Sequence, residues 1–449
     1  MPPPSNFFDS SESKWFILSA FSASLLGLYL FADRLSKSRP ALLQFRKKTL
    51  KSPPNTPQDL PSPAIYLERP YPLNDPIRLP DNQRIYKICL TGGPCAGKTT
   101  SLTFLSQKLT EKGFKVFSVP EIPTLTKQGG GMIIMGGLSP ENIMKFQQYL
   151  MKIQMKIEDY FTELAILSGQ PSIVLCDRGV IDPYAYMEEG VWNAILDSQG
   201  WNMLNLRDKR YDAVVHLVTA ADGAEDFYSL QNNEARYEDI NTARVIDKRT
   251  QLAWIGHPRL FIIDNSVKGF DNKIKRVYTA VSGAVGLPFP DVLSRKYLLK
   301  EYSIPENIKV ENFTMEVTLI TSESKEKEMK VRKRTQNGLS KFSYSEKIRV
   351  NGEKGTETQR ELNARNYIML VGQKDESRNV VVKERKCFIW EHQSFVLDEI
   401  GEGEQKVRVL KIDGIEKDFV LKIPPFCVVE KEVTGEVQFS NECFSRKKD

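Results

Sequence analysis

The chain has 449 residues, a net charge of +6 from 63 Lys and Arg against 57 Asp and Glu, and 41% hydrophobic residues. That length is too great for one compact domain and implies two or three, with the apolar content of a globular protein; the charge is too small to argue for nucleic acid as a partner. Six cysteines, at 89, 95, 176, 387, 427 and 443, show neither C-x-x-C nor His-paired zinc spacing and read as reduced thiols of a cytosol-facing protein.

In chain order, the first element lies within an N-terminal segment, 1–34. Residues Trp15 to Ala32 carry no charge, and as a helix they span roughly 27 Å, enough to cross a thin bilayer. Trp15 and Tyr29 suit the two interfaces. Arg34, Lys37, Arg39, Arg46, Lys47 and Lys48 follow the segment, whereas Lys14 precedes it with Asp9 and Glu12 nearby. The positive-inside rule then predicts a single-span membrane protein with its folded domains in the cytoplasm. Residues 35–82 hold ten prolines between Pro40 and Pro80 and predict an extended tether.

The first domain is expected over 83–287. The apolar run Ile85–Leu90 leads into Gly92-Gly93-Pro94-Cys95-Ala96-Gly97-Lys98-Thr99-Thr100, a complete G-x-x-x-x-G-K-T. Glycines let the backbone curl so that N–H groups face phosphate oxygens. Lys98 supplies an ammonium and Thr99 a hydroxyl for Mg²⁺. Leu102, Leu105 and Leu109 fall at helical spacing immediately after, so a helix dipole adds to the site. Binding, hydrolysis and transfer all remain open on this motif alone.

Further strands are predicted over 114–119, 172–177, 213–218 and 260–264, separated by helical patterns, which makes the domain a three-layer α/β sandwich with its site at the carboxyl ends of the strands. Asp177 closes the third strand where a carboxylate serves Mg²⁺ opposite Thr99. The glycine-rich stretch 129–137 reads equally as a substrate cover or as a simple connection. A long amphipathic helix follows, with Ile143, Phe146, Leu150, Ile153, Ile157, Phe161 and Leu164 on one face.

No N-K-x-D stands in the chain, since Asn272-Lys273 continues as Ile274-Lys275. Val119-Pro120-Glu121 and Asp177-Arg178-Gly179 instead resemble the deoxynucleoside-kinase, thymidylate-kinase and nicotinamide-riboside-kinase group. The resemblance implies Glu121 as base toward an acceptor hydroxyl, Asp177 as metal-side carboxylate and Arg178 as phosphate or acceptor contact, with Arg236, Arg244 and Arg249 in the region where such kinases carry a lid. Glu121 as a helix-terminal charge, Arg178 in an ordinary ion pair and the three arginines on a solvated face are the structural alternatives.

From about 290 to 436 strands alone are predicted: 296–299, 313–320, 329–334, 379–383, 386–390, 394–398 and 427–430, an antiparallel barrel or tunnel, followed by a basic tail at 437–449. Period two puts Lys330, Arg332 and Arg334 on one face and Lys383 and Arg385 on one face of another strand. Turned inward they make a phosphate channel, and turned outward a solvated surface.

The stretch Arg295–Leu299, Val331-Arg332-Lys333-Arg334, Lys383–Phe388 and Phe395–Asp398 resembles the CYTH-like triphosphate-tunnel fold. In this order after the kinase-like domain, the pair resembles the TRPL translocation defect protein 14 family over roughly 83–435. The resemblance implies guanine nucleotide on the first domain with Mg²⁺, binding of phosphatidic acid and phosphoinositides, and a role in membrane-protein trafficking, with ATP an alternative ligand and the protein cargo unspecified. It also implies that Lys296, Lys330, Arg332, Arg334, Lys383 and Arg385 serve the phosphate. Active tunnel triphosphatases open with E-x-E-x-K, and the positions here are Val292, Ser294 and Lys296, so only the lysine survives; Glu430 and Glu432 remain.

Overall fold

The computed structural model describes residues 84–131, 139–228, 239–267, 269–287, 292–322, 324, 326–348, 357–403, 406–416 and 421–447. The segment expected to span a membrane, the proline-rich tether and Arg236 lie outside these residues, as does most of the glycine-rich stretch. Among the described residues no helix is long and apolar enough to cross a membrane.

The first domain runs β1 (Ile85–Gly92), α1 (Lys98–Glu111), β2 (Lys115–Val119), α2 (Ile122–Gln128), α3 (Pro140–Ser168), β3 (Ser172–Asp177), α4 (Glu189–Gln199), β4 (Ala213–Leu217), α5 (Ile240–Ala253), β5 (Leu260–Ile263) and α6 (Phe270–Ala284). Its five strands are parallel in the order β2-β3-β1-β4-β5. They are apolar runs because both faces are covered. One face packs Cys89, Val174, Cys176 and Val214 against Met151, Met155 and Trp254. The other packs Ile88, Leu90, Leu175 and Val215 against Leu105, Leu109, Val277 and Val281. Ser139 caps α3 by accepting from the Asn142 amide, and Gly169 ends that helix at φ 65.

The second domain is one antiparallel sheet built from β6 (Val292–Tyr302), β7 (Val310–Ile320), β8 (Lys327–Gln336), β9 (Leu339–Ile348), β10 (Glu357–Leu362), β11 (Val381–Trp390), β12 (Gln393–Ile400), β13 (Val407–Glu416) and β14 (Cys427–Glu432), with a short helix α7 (Ala364–Val371) after β10. Its order is β10-β9-β8-β7-β11-β12-β13-β6-β14. Two expected strands, 379–383 and 386–390, are one: β11 continues through Glu384 and Arg385, which pair with Thr314 and Phe313 of β7. One face carries an aromatic and aliphatic core of Tyr297, Leu299, Phe388, Phe395, Leu397 and Leu410.

In the expected tail, Val437–Phe439 makes one tight turn and Asn441–Phe444 a short helix, α8. Its Phe444 packs against Val317, Val381 and Ile400. The Ser445 carbonyl accepts from the Asn379 amide at 2.7 Å, and the Glu442 carbonyl from Arg378 Nη1 at 2.9 Å.

The two domains join through buried charge. Arg207 donates to Asp208 Oδ1 at 2.7 Å, to the Ile255 carbonyl at 2.7 Å and to Gln336 Oε1 of β8 at 2.8 Å. Arg334 of β8 lies over the Phe313 ring, 3.6 Å from its centroid, pairs with Asp208 at 3.2 Å and donates to the Gly256 carbonyl. Burying guanidinium groups this deeply is tolerable because both engage Asp208 and backbone carbonyls.

Candidate functional site

The phosphate loop leaves β1 at Gly92, φ 139, and enters α1 through Gly97, φ 90. A side chain at Gly97 would meet the Phe270 ring at 2.5 Å, so glycine is required by space as well as by backbone. Pro94, Cys95 and Ala96 form the turn between them, with Cys95 at φ 55, and Thr99 and Thr100 are exposed at the start of α1. Lys98 Nζ donates to the Gly92 and Gly93 carbonyls, each at 2.9 Å. Burial, helped by Arg178, lowers its pKa to about 8. An ammonium held over its own loop at this cost is ready to exchange carbonyls for phosphate oxygens.

Glu121 ends the loop after β2, and Arg178 follows β3 directly, at φ 72. Their side chains meet: Arg178 Nε donates to Glu121 Oε1 at 2.5 Å, with Nη1 reaching the Gly92 carbonyl at 3.3 Å. Thr124 also donates to Glu121. Burial pushes the Glu121 carboxyl up, but Arg178 and Lys98 outweigh it and hold the pKa at about 2. The same Arg178 lies 3.8 Å from Asp182, whose two oxygens accept from Thr91 at 2.7 Å and Trp254 at 2.8 Å.

Asp177 differs. Burial raises its pKa, opposed by Lys98, and its Oδ1 is buried with no hydrogen-bond partner. An orphaned buried carboxylate oxygen fits a cation. Thr99 and Asp177 are the residues that would hold Mg²⁺, which would neutralise charge on the phosphates of a bound nucleotide.

Phosphate loop, Glu121, Asp177 and Arg178 line one cavity of about 1080 Å³. It extends one way to Gly223, Phe227, Asn265 and Phe270, and the other way to Ile122, Phe146, Leu150, Gln154 and Tyr186. Arg244 and Arg249 are not among its lining residues: Arg244 pairs with Glu225 at 2.7 Å and donates to the Ala221 carbonyl, while Arg249 donates to the Met187 carbonyl.

Sequence reasoning missed Asp247. Its Oδ1 accepts from the Gly93 amide at 2.8 Å and the Thr219 amide at 3.1 Å, with His216 Nε2 at 3.2 Å, fastening the phosphate loop to the exit of β4. A carboxylate 154 positions from its partner leaves no local signal.

On the second domain, the structure divides the six expected cations. Lys383 is largely but not fully buried on β11, its side chain 11% exposed, and Asp398 of β12 lies 3.7 Å away. Burial lowers the Lys383 pKa to about 8, with Arg385, Lys296 and Arg332 repelling its charge and Asp398 supporting it. Arg385 is bidentate to Asp398 at 2.7 and 2.9 Å and holds that carboxyl at about 2 against its burial. Lys330 pairs with Glu328 at 2.8 Å. Arg334, expected beside them, is instead committed to Asp208 and Gly256 of the first domain: period two gives its face but not what covers that face.

Val292, Ser294 and Lys296 all lie on β6, Glu430 and Glu432 are exposed, and among the described residues no group of three or more His, Cys, Asp or Glu is placed to hold a metal ion.

A family model for an AAA domain matches residues 87–271. Among solved structures, a thymidylate kinase from Ehrlichia chaffeensis matches at 14% identity over 45% of this chain and 99% of its own, with a TM-score of 0.30. An inorganic triphosphatase matches at 15% identity over 36% of this chain and 97% of its own, with a TM-score of 0.26. Likenesses this slight carry no weight beside the site's own geometry. No curated protein matches the chain. Sheet order and phosphate loop make the first domain a parallel α/β P-loop nucleotide-binding domain, similar over residues 87–271 to the AAA domain model.

Proposed function

We propose that the chain is a regulatory protein that holds a Mg²⁺-nucleotide, GTP or ATP, on its first domain and a phosphorylated ligand on its second. Lys383 carries the second half of this reading. It is largely buried, its pKa is depressed to about 8, and it shares the Asp398 carboxylate with Arg385. A phosphate placed there would relieve repulsion among Lys296, Arg332, Lys383 and Arg385. Guanine as the base, phosphatidic acid and phosphoinositides as ligands, and membrane-protein trafficking as the setting come from the family resemblance. The 15–32 segment would keep both sites beside a membrane. Full-length protein tested against labelled nucleotide with GTP and ATP as competitors, and against vesicles with and without phosphatidic acid, decides it. Equal retention by both vesicles, together with no affinity for tripolyphosphate in the second domain, would sink the two-site reading.

A small-molecule kinase is the second reading, favoured by the cavity continuing past Glu121 to Ile122, Phe146, Leu150, Gln154 and Tyr186. An acceptor hydroxyl there would attack the γ-phosphorus, the bond to the β-phosphate oxygen would break, and Glu121 would take the hydroxyl proton. A carboxylate held at about 2 by Arg178 is a poor base, which places this reading second. Radiolabelled γ-phosphate found on a nucleoside-like acceptor would reverse the order.

A further inference from the structure

The tip of the hairpin joining β11 to β12 enters the first domain. Glu391 and His392 form a two-residue turn with φ 43 and 57, both left-handed, a tight reversal that pushes the imidazole outward. His392 Nδ1 lies 3.0 Å from Gln251 Nε2, and His392 Nε2 lies 3.0 Å from Asp222 Oδ2. Gln251 Nε2 also donates to Asp247 Oδ2 at 2.9 Å. Asp247 Oδ1, in turn, accepts from the Gly93 amide of the phosphate loop at 2.8 Å.

Proton counting gives this chain one direction. An amide nitrogen has two hydrogens, so Gln251 can donate one to Asp247 and one to His392 Nδ1, which must then be the acceptor. The imidazole hydrogen is left on Nε2, where it meets the Asp222 carboxylate. Every polar group in the series is satisfied, and its two ends lie in the phosphate loop and in the loop after β4. Gly93 belongs to the phosphate loop. Asp222 lies beside Gly223, which lines the cavity.

We propose that His392 is a positioning residue for the nucleotide site, through which the second domain sets nucleotide affinity. The stem of the same hairpin carries Lys383 and Arg385 on β11 and Asp398 on β12. One two-stranded element therefore reaches both phosphate-directed regions. The inference rests on the nucleotide reading of the phosphate loop.

Its test is the affinity of the full chain for a fluorescent Mg²⁺-nucleotide. His392→Ala removes acceptor and donor together and weakens binding about tenfold, with an unchanged melting temperature in the absence of nucleotide. His392→Gln, which keeps one acceptor and one donor, restores affinity to within about twofold. His392→Ala combined with Gln251→Ala binds no more weakly than His392→Ala alone, because both act through one series. If the Ala variant binds as the wild type does, or if Gln fails to rescue, the positioning role is wrong while the nucleotide site stands. A wild-type chain without nucleotide affinity overturns both. Asp222→Ala gives an independent arm should the His392 variants unfold: it reproduces the loss, and full affinity in that variant counts against the role.

Discussion

Glu121 and Arg178 close the phosphate cavity on each other, carboxylate oxygen to guanidinium nitrogen at 2.5 Å, although 57 positions separate them in the chain. The pair joins the ends of β2 and β3 and leaves Arg178 within reach of the Gly92 carbonyl.

Because Glu121 titrates at about 2 when folded and at an ordinary carboxylate value when unfolded, its stabilisation is full above about 4.5 and is lost as pH falls toward 2. Glu121→Gln removes this acid-side dependence at a cost of about 1–3 kcal/mol at neutral pH, read by urea denaturation across pH. Nucleotide affinity stays within about threefold of wild type in this variant, since the carboxylate faces Arg178 and not the loop amides.

Lys98 gives the same sign of pH dependence in a more alkaline window, because burial there disfavours the charged form. Its folded value of about 8 lies below its unfolded one, so between about 8 and 10.5 the unfolded chain binds more protons and stability rises with pH. Nucleotide phosphates favour the charged ammonium. Binding at pH 9 should therefore take up close to one proton, measurable by calorimetry in buffers of different ionisation enthalpy, and affinity should fall as pH rises above 8. Lys98→Met eliminates the proton uptake.

Two glycines of the loop fail for different reasons. Gly93→Ala places its new carbon 2.7 Å from Asp247 Oδ1 and breaks the tie to β4. Gly97→Ala forces a left-handed alanine into the Phe270 ring. Both should lower nucleotide affinity at least about tenfold, but only Gly97→Ala should recover in part when Phe270→Ala is added. Equilibrium dialysis with labelled nucleotide separates them.

On the second domain, Lys383→Met deletes a largely buried charge while Asp398 keeps its bidentate arginine. We expect loss of phosphate-dependent binding by at least about tenfold, a melting temperature within about 3 °C of wild type, and disappearance of the rise in stability between about pH 8 and 10.5 that the lowered Lys383 pKa produces. Tripolyphosphate titration and thermal melts at several pH values check all three.

The legible parts of this molecule are those whose physics is local. Loop, strand and helix of the phosphate site occupy consecutive residues, so Ile85 to Leu109 could be placed from spacing alone. Lys383 and Arg385 share a face in the fold as period two requires. What stayed hidden depends on distant partners: Asp247, Gln251 and His392 form one series drawn from two domains. Strands β9, β10 and β13 were also missed. In β9 only Phe342 and Tyr344 alternate with Ser and Lys, too few apolar positions to announce a strand, and the pairing with β8 on one side and β10 on the other supplies the rest.

Phe444 rests on Val317, Val381 and Ile400, with Lys383 Nζ 5.9 Å from the centre of its ring. The helix α8 and Ser445 are thus part of the wall of the cationic face, pinned there by Arg378 and Asn379. A fluorophore attached within Asn441–Phe444 would sit in that wall, and titrations on the labelled chain would report a face whose border had been rebuilt.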